Sequence, residues 1–578
     1  MFRPGTARQR ACVAVRIERH TLYRRDRATR ATTDNPDFPG NRFMTQNDQS
    51  DVIAFLADPA THGGATQGRA AHGGTGPVGV IATHISQVFL AGGRAFKLKR
   101  AVTLPYADFS TPERRLAFCE KEFVLNRATA PGLYLGVRRI TRTREAGLEF
   151  DGIGELADAV VEMVRFDQEA LFDRFAVEGR LDAALMSELA GTIARFHADA
   201  PVVHAGSGSQ RLAALIDMNS ASFAESDVFS RDEVSALAGA LRQRLARHAG
   251  VLDTREAAGR VRRCHGDLHL RNICLFEGRA TVFDCIDFND ELASVDVLYD
   301  LAFLLMDLWH RGLGALASLV ANRYFDAVQT DAVGTGAVAA GTGGLGTDAG
   351  FELLPFFMAM RAVVRAHVTA TMARDGGADA HHHIAAARSY FQVAGDLLAP
   401  QPARIVAIGG FSGSGKSTLA EALAPRIGAP PGARCIESDR TRKAMFGVAA
   451  STRLGQDAYR AEVSREVYDR LEARASALAE AGASVVVNAV YDRADRRQRL
   501  GAAAAAAGVP FDGFWLAADP DALRRRVRER VGGPSDATLE VLEAQLSGDI
   551  DEMTWQTMPA DGPLETTLEA ILAATRPE

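Results

Sequence analysis

Gly410-Phe-Ser-Gly-Ser-Gly-Lys-Ser417 is a complete G-x-x-x-x-G-K-[ST] phosphate-binding loop. It follows an apolar run, Ile405-Val-Ala-Ile408, and opens onto the helix-like Lys416-Ser-Thr-Leu-Ala-Glu-Ala-Leu423. The glycines let the backbone curl until its N–H groups face a polyphosphate, and the following helix adds its positive end. The spacing therefore predicts a nucleoside-triphosphate (ATP) site formed by Gly410, Phe411, Ser412, Gly413, Ser414, Gly415, Lys416, Ser417 and Thr418. Lys416 is expected to reach the β/γ phosphates, and the Ser417 hydroxyl to take a Mg²⁺ position.

Beyond the loop, strand-like stretches at 404–409, 433–438, 484–490 and 511–516 alternate with helix-like stretches at 416–427, 456–481, 492–507 and 520–531. Alternation of this kind requires a parallel sheet, so 403–578 reads as an α/β P-loop kinase domain. Asp439, after the second strand, is placed to orient or deprotonate an acceptor hydroxyl, with Arg442 and Lys443 available for an anionic acceptor. The third strand, Ser484-Val-Val-Val-Asn488, ends in an amide where a Mg²⁺-directed aspartate is expected. Arg526 and Arg530, one helical turn apart in a basic helix, suit a phosphate-clamping lid.

A second constellation lies in the middle of the chain, in His265-Gly-Asp-Leu-His-Leu-Arg-Asn272 and Val282-Phe-Asp-Cys-Ile-Asp-Phe288. Kinase-like phosphoryl transfer needs an Asp beside the attacking hydroxyl, an Asn five residues later for metal, and a further carboxylate for Mg²⁺. Asp267, Asn272 and Asp287 supply that set in order. This region resembles the aminoglycoside/choline phosphotransferase family, with its H-G-D-x-x-x-x-N and I-D-F/W motifs. Asp296-Val-Leu-Tyr-Asp-Leu-Ala302 is similar to that family's D-P-x-x-D-L-A helix start. The resemblance implies Asp267 as catalytic, Asn272 as a metal ligand, Asp287 as the principal Mg²⁺ carboxylate, and His265 as a brace. It further implies a strand lysine paired with a helix glutamate. Lys97 and Glu122 fit these, with Lys99 and Glu120 as competitors. A G-x-G-x-x-G loop is absent, and only Gly92-Gly93 stands nearby.

The C-terminal part resembles P-loop kinases of the gluconate kinase and zeta-toxin type, often labelled AAA-family ATPases. The fused order is similar to bacterial bifunctional aminoglycoside phosphotransferase/ATP-binding proteins. The expected fold is thus an α+β protein-kinase-like (aminoglycoside phosphotransferase) fold over 51–399, followed by the P-loop domain. Residues 1–50 read as a disordered extension, with Met44 an alternative first residue. Residues 330–350, rich in Gly, Ala and Thr, read as a flexible surface loop, and Pro400-Gln-Pro402 as the break between domains.

Upstream, Gln87-Val-Phe-Leu90, a Gly92-Gly93 turn and Ala95-Phe-Lys-Leu-Lys99 form a hairpin pattern. A helix is expected from Glu113 to Arg127, with Leu116, Phe118, Phe123 and Leu125 as its apolar residues. Segments 155–200 and 211–250 are expected to be largely helical.

A chain of 578 residues is too long for one core, and its 47% hydrophobic and 24% charged content is that of a soluble globular protein. A net charge of −6 gives no electrostatic case for nucleic acid or an anionic membrane. No apolar run reaches the roughly 18–20 residues of a membrane span. The six cysteines form no CxxC pair, which points to reduced thiols and a cytoplasmic location. His381-His-His383 reads as a solvated loop. The functional expectation is an ATP-dependent enzyme with two Mg-ATP sites that phosphorylates small hydroxylated acceptors. The competing reading is a nucleotide-sensing ATPase with one site used only for binding. Acceptor identity and oligomeric state are not encoded in any of these motifs.

Overall fold

In the computed structural model, the described residues are 48–63, 77–83, 85–104, 107–204, 206–223, 226–334, 346–374, 379–530 and 532–575. The expected extension, apart from its last residues 48–50, and the middle of the expected 330–350 loop lie outside them.

The N-terminal lobe is a six-stranded antiparallel sheet. Its order is Gly79–Ala82, Ser86–Ala91, Arg94–Lys99, Leu156–Val164, Tyr134–Arg142 and Leu148–Phe150. Leu156–Val164 was expected in a helical segment and is instead an inner strand. Its run Ala-Val-Val-Glu-Met-Val is apolar on both faces, a pattern that periodicity cannot assign, and the β-branched valines settle it as a strand.

Helix Pro112–Thr129 packs on this sheet, capped by Thr111, whose hydroxyl accepts the Arg114 N–H, with Pro112 in its first turn. Its buried face is Arg115, Cys119, Glu122 and Asn126. The helix therefore turns a polar edge inward, and the apolar residues named from sequence are only partly buried. Arg115 makes two 2.8 Å bonds to the buried Asp158 carboxylate, which fixes the helix to the inner strand.

The second lobe is mainly helical. Val297–His310 is its central helix, with all but its last two residues buried. Around it lie Ala183–Asp199, Gly208–Phe223, Arg231–Ala257, Gly314–Gly334, Leu354–Arg374 and Ala380–Leu398. The three adjacent histidines are the first turn of the last of these, not a loop. Phe351–Arg374 is long and apolar enough to cross a membrane by composition, but 72% of that window is buried in the fold.

The C-terminal region holds a five-stranded parallel sheet in the order Arg434–Glu437, Val485–Asn488, Ile405–Gly410, Phe511–Ala517, Gln556–Pro559. The fifth strand and helices Ser438–Met445, Leu539–Ser547 and Leu564–Ala574 were not expected from the sequence. The edge strand Arg434–Glu437 is covered by helix Gly314–Gly334 of the preceding region. Asn322 on that helix accepts the Cys435 N–H at 2.7 Å and donates to the Ala433 carbonyl at 3.2 Å, satisfying the strand's outward backbone groups. One apolar cluster runs through both regions, from Leu301 and Phe357 to Ile405 and Val485.

Candidate functional site

Two candidate sites stand out, one in each region. In the first, alternation along Arg94–Lys99 puts Lys97 and Lys99 on the same face of the sheet. Glu122 meets both: Lys97 Nζ lies 2.8 Å from Oε1, and Lys99 Nζ 2.8 Å from Oε2. Glu120 is exposed and takes no part. Each lysine has a second carboxylate, Asp284 at 2.5 Å from Lys97 and Asp287 at 2.5 Å from Lys99. Burial would raise the Glu122 carboxyl, but Lys97 and Lys99 together hold it down at about 2. Asp287 is shifted the other way, upward, because its burial outweighs Lys99.

Asp284 was not singled out from sequence, and the hairpin explains why it belongs here. Strands Ile273–Phe276 and Arg279–Val282 pair with Ile273 opposite Val282, and the Phe283 N–H donates to the Asn272 carbonyl at 3.0 Å. The residue after Phe283 is thereby returned to the Asn272 end of the His265–Asn272 loop. Asp284 adopts a left-handed φ of 62°, held by its N–H donating to the Tyr134 hydroxyl at 3.1 Å. Its side chain is 43% exposed to the cleft, against 7% for Asp287.

Asn272 closes the loop by donating Nδ2 hydrogens to the Asp267 carboxylate at 3.0 Å and to the Asp267 carbonyl at 2.9 Å. His265 Nδ1 accepts the Asp267 N–H at 3.3 Å, so its Nε2–H donates to the Phe283 carbonyl at 2.9 Å. Burial pushes the His265 pKa down and keeps the ring neutral. Burial would also raise the Asp267 carboxyl, but His269, at 3.4 Å, holds it below the usual carboxylate range. Beneath the loop, the buried Asp300 accepts the His265 and Gly266 N–H groups at 3.2 and 2.8 Å. His197 bridges Asp300 at 3.1 Å and Tyr324 at 3.0 Å.

These groups open onto a cavity of about 540 Å³ whose far wall is apolar, formed by Val88, Leu90, Ala95, Met163 and Phe166. Thr83, Ile85 and Ser86 are also among its lining residues. Gly92-Gly93 forms the next turn, at the end of the hairpin away from Lys99 and Ser86.

In the second site, Gly410, Gly413 and Gly415 have φ of 143°, 85° and 91°. A Cβ on Gly413 would lie 2.9 Å from the Leu523 carbonyl, so glycine is required there. Ser414 Oγ on the loop and Nη1 of Arg530, which lies just past the end of helix Pro520–Glu529 rather than within it, are buried with no hydrogen-bond partner among the described residues. Both face the demands of a polyphosphate, which supplies acceptors for each. Lys416 Nζ donates to the Phe411 carbonyl at 2.8 Å, and burial pushes its pKa down to about 8, against the pull of Asp439 and Glu437. Phe411 stands edge-on to Trp515, with ring centroids 5.4 Å apart. The Ser412 N–H donates to the Gln545 side chain at 2.9 Å, and Arg526 donates to the Gly413 carbonyl at 3.5 Å. Thr418 is exposed on the first helical turn.

Asp439 opens helix Ser438–Met445. Burial raises its carboxyl, with Ser535 and then Lys416 opposing. Arg442 and Lys443 do not face an acceptor. Arg442 is buried and donates to the Ala458 carbonyl at 2.6 Å, and Lys443 is held by Asp536 at 3.0 Å. Asn488 is buried, its amide on the Cys435 sulfur at 3.8 Å. The carboxylate the sequence did not reveal is Glu437, in register with Asn488 on the neighbouring strand. The Ser417 hydroxyl donates to it. Its signal was the adjacent Glu437-Ser-Asp439, two acids on one side of a strand end.

Residues 148–333 match the phosphotransferase enzyme family, and 405–548 match the AAA domain family. An uncharacterized protein of Mycobacterium tuberculosis is 30% identical over 509 residues, covering 85% of this chain and 94% of that protein. The chain belongs to this family of phosphotransferase–AAA fusion proteins. The chain is an enzyme of the kinase or ATPase type, and its two domains support ATP-dependent phosphoryl transfer. Among solved structures, a gluconokinase from Sinorhizobium meliloti is 23% identical and covers 30% of this chain and 90% of its own, with a TM-score of 0.22. A choline/ethanolamine kinase family protein from Mesorhizobium loti is 16% identical over 57% of this chain and 94% of its own, with a TM-score of 0.33.

Proposed function

We propose that this fusion protein is a cytoplasmic, bifunctional phosphotransferase with two Mg-ATP sites, each serving a small hydroxylated acceptor. Its domains are 51–399 and 403–578. The observation that carries the reading is the meeting of Lys97, Glu122 and Asp284 at hydrogen-bond distance in a cleft that also holds Asp267 and Asn272.

In the first site Lys97, held by Glu122, steers the phosphates, and the apolar wall takes the base. Asp267 accepts the proton of the attacking hydroxyl, with Asn272 fixing its orientation. Asn272, Asp284 and Asp287 are hard oxygen donors that fit Mg²⁺. Asp284 is the principal one, and Asp287 is the buried partner that keeps Lys99 charged. Mg²⁺ there would neutralise charge on the phosphoryl oxygens.

In the second site the loop amides, Lys416, Ser414, Arg526 and Arg530 hold the phosphates. Ser417 and Glu437 form the metal pole, with Glu437 standing in for the acid that Asn488 lacks. Asp439 orients the acceptor hydroxyl. Asn488 favours a second reading, nucleotide binding without turnover, which Glu437 argues against. A screen of hydroxylated metabolites with γ-labelled ATP, run on wild type, Asp267→Asn and Lys416→Ala, tests the assignment. Each variant should lose one class of labelled product, and loss of none contradicts it.

A further inference from the structure

The second site is not enclosed within its own domain. Its candidate metal carboxylate, Glu437, forms an ion pair with Arg440, with Oε2 3.2 Å from Nε. Arg440 reaches in turn to Asp326, at 3.6 Å, on helix Gly314–Gly334 of the kinase-like domain. Asp326 also holds Arg434 at 2.7 Å and Arg323 at 3.1 Å. Arg434 and Arg474 share Asp348, at 2.8 and 2.7 Å, and Arg323 pairs with Glu421. Arg323, Arg434, Arg440 and Arg474 thus face Asp326, Asp348, Glu421 and Glu437, a balanced set of charges across the domain seam.

We propose that Asp326 is a positioning residue for the P-loop site, contributed by the other domain. It holds Arg440 between two carboxylates, so that Glu437 stays aimed at Ser417 and free to meet a divalent cation. Without Asp326, one unbalanced positive charge remains beside Glu437. Arg440 then closes onto that carboxylate and competes with the metal. Burial of this cluster keeps the effect from being screened away: Asp326, Arg440 and Glu437 side chains are 16%, 18% and 6% exposed. The same helix carries Tyr324, the last member of the hydrogen-bonded series running from the Asp267 loop through Asp300 and His197. The element that sets the charge of the second metal pole is therefore also tied to the first catalytic loop.

This inference rests on the reading of Ser417 and Glu437 as a metal pole, and the test separates the two. In the full-length protein, the Mg²⁺ concentration that half-saturates ATP binding is measured at the site that Lys416→Ala removes. Asp326→Asn should raise it about fivefold or more, as expected for an unbalanced charge in a partly buried cluster. ATP binding in EDTA should not weaken, and Asp326→Glu should restore the requirement. Asn322→Ala, which loosens the same seam without changing charge, should leave it within about twofold.

Should Asp326→Asn fail to fold, Arg440→Lys carries the test, since its shorter ammonium cannot span both carboxylates and should raise the requirement similarly. A requirement raised by Glu437→Gln but untouched by Asp326→Asn or Arg440→Lys overturns the positioning role and leaves the metal pole standing. An equal rise in Asn322→Ala overturns it too. A requirement unmoved by Glu437→Gln overturns the metal pole itself.

Discussion

Lys97 Nζ lies 2.5 Å from the Asp284 carboxylate, while Lys99, two residues on, makes the same 2.5 Å contact with Asp287. The two aspartates of one short loop are thereby given different work. Asp284 faces the cleft, and Asp287 closes a buried ion pair. Asp284→Asn should fold as wild type and lose transfer at the first site by about 100-fold or more, the scale of removing a preorganised electrostatic group. Asp287→Asn should instead lower stability by about 3–5 kcal/mol, because Lys99, charged and buried, is left with only the Glu122 carboxylate that it shares with Lys97. Denaturant unfolding and single-turnover kinetics on both variants check the division.

The seam between the domains predicts a stability effect far from either cleft. Arg434 is fully buried and paired with Asp326 and Asp348. Arg434→Ala takes a buried arginine from both Asp326 and Asp348, leaving the cluster one positive charge short, and should cost about 3–5 kcal/mol, read as a drop in the unfolding midpoint of the whole chain. A C-terminal fragment beginning at 403 should aggregate, since its edge strand would lose the cover that Asn322 provides.

The phosphate loop carries a pH dependence with a definite sign. Burial depresses the Lys416 pKa to about 8, so below that value the side chain is charged and matches an anionic ligand. Above it, binding must first restore a proton. ATP affinity at this site should therefore be flat from pH 6 to 7.5 and fall as pH rises through about 8, with proton uptake appearing in calorimetry over the same interval.

Gly413→Ala should abolish nucleotide binding at the loop, because its Cβ would meet the Leu523 carbonyl at 2.9 Å from a φ of 85°. The comparable change at Gly92, which has nothing within 4 Å, should leave ATP binding intact despite its positive φ. Equilibrium binding of a fluorescent ATP analogue to the two variants distinguishes them.

What the sequence made legible was whatever a local spacing encodes. The P-loop, the four strands that alternate with helices, and the His265–Asn272 loop all follow from contiguous patterns. What it hid depended on contacts between distant segments. Lys97 and Glu122 were named with Lys99 and Glu120 as competitors, and only the helix's inward polar edge shows that Glu122 meets both lysines while Glu120 is exposed. Asp284 needed the register of the Ile273–Val282 hairpin, and Glu437 needed the neighbouring strand that sets it beside Ser417. Leu156–Val164 was misread because an apolar run of that length suits an inner strand and a buried helix equally.

The central claim is that one chain carries two separate ATP sites. Calorimetric titration of the full-length protein with Mg²⁺ and a nonhydrolysable ATP analogue tests it most directly. Wild type should bind two equivalents, and Lys416→Ala and Lys97→Ala one each. The double variant should bind none. A single equivalent in wild type, or a site that survives both substitutions, would contradict the account.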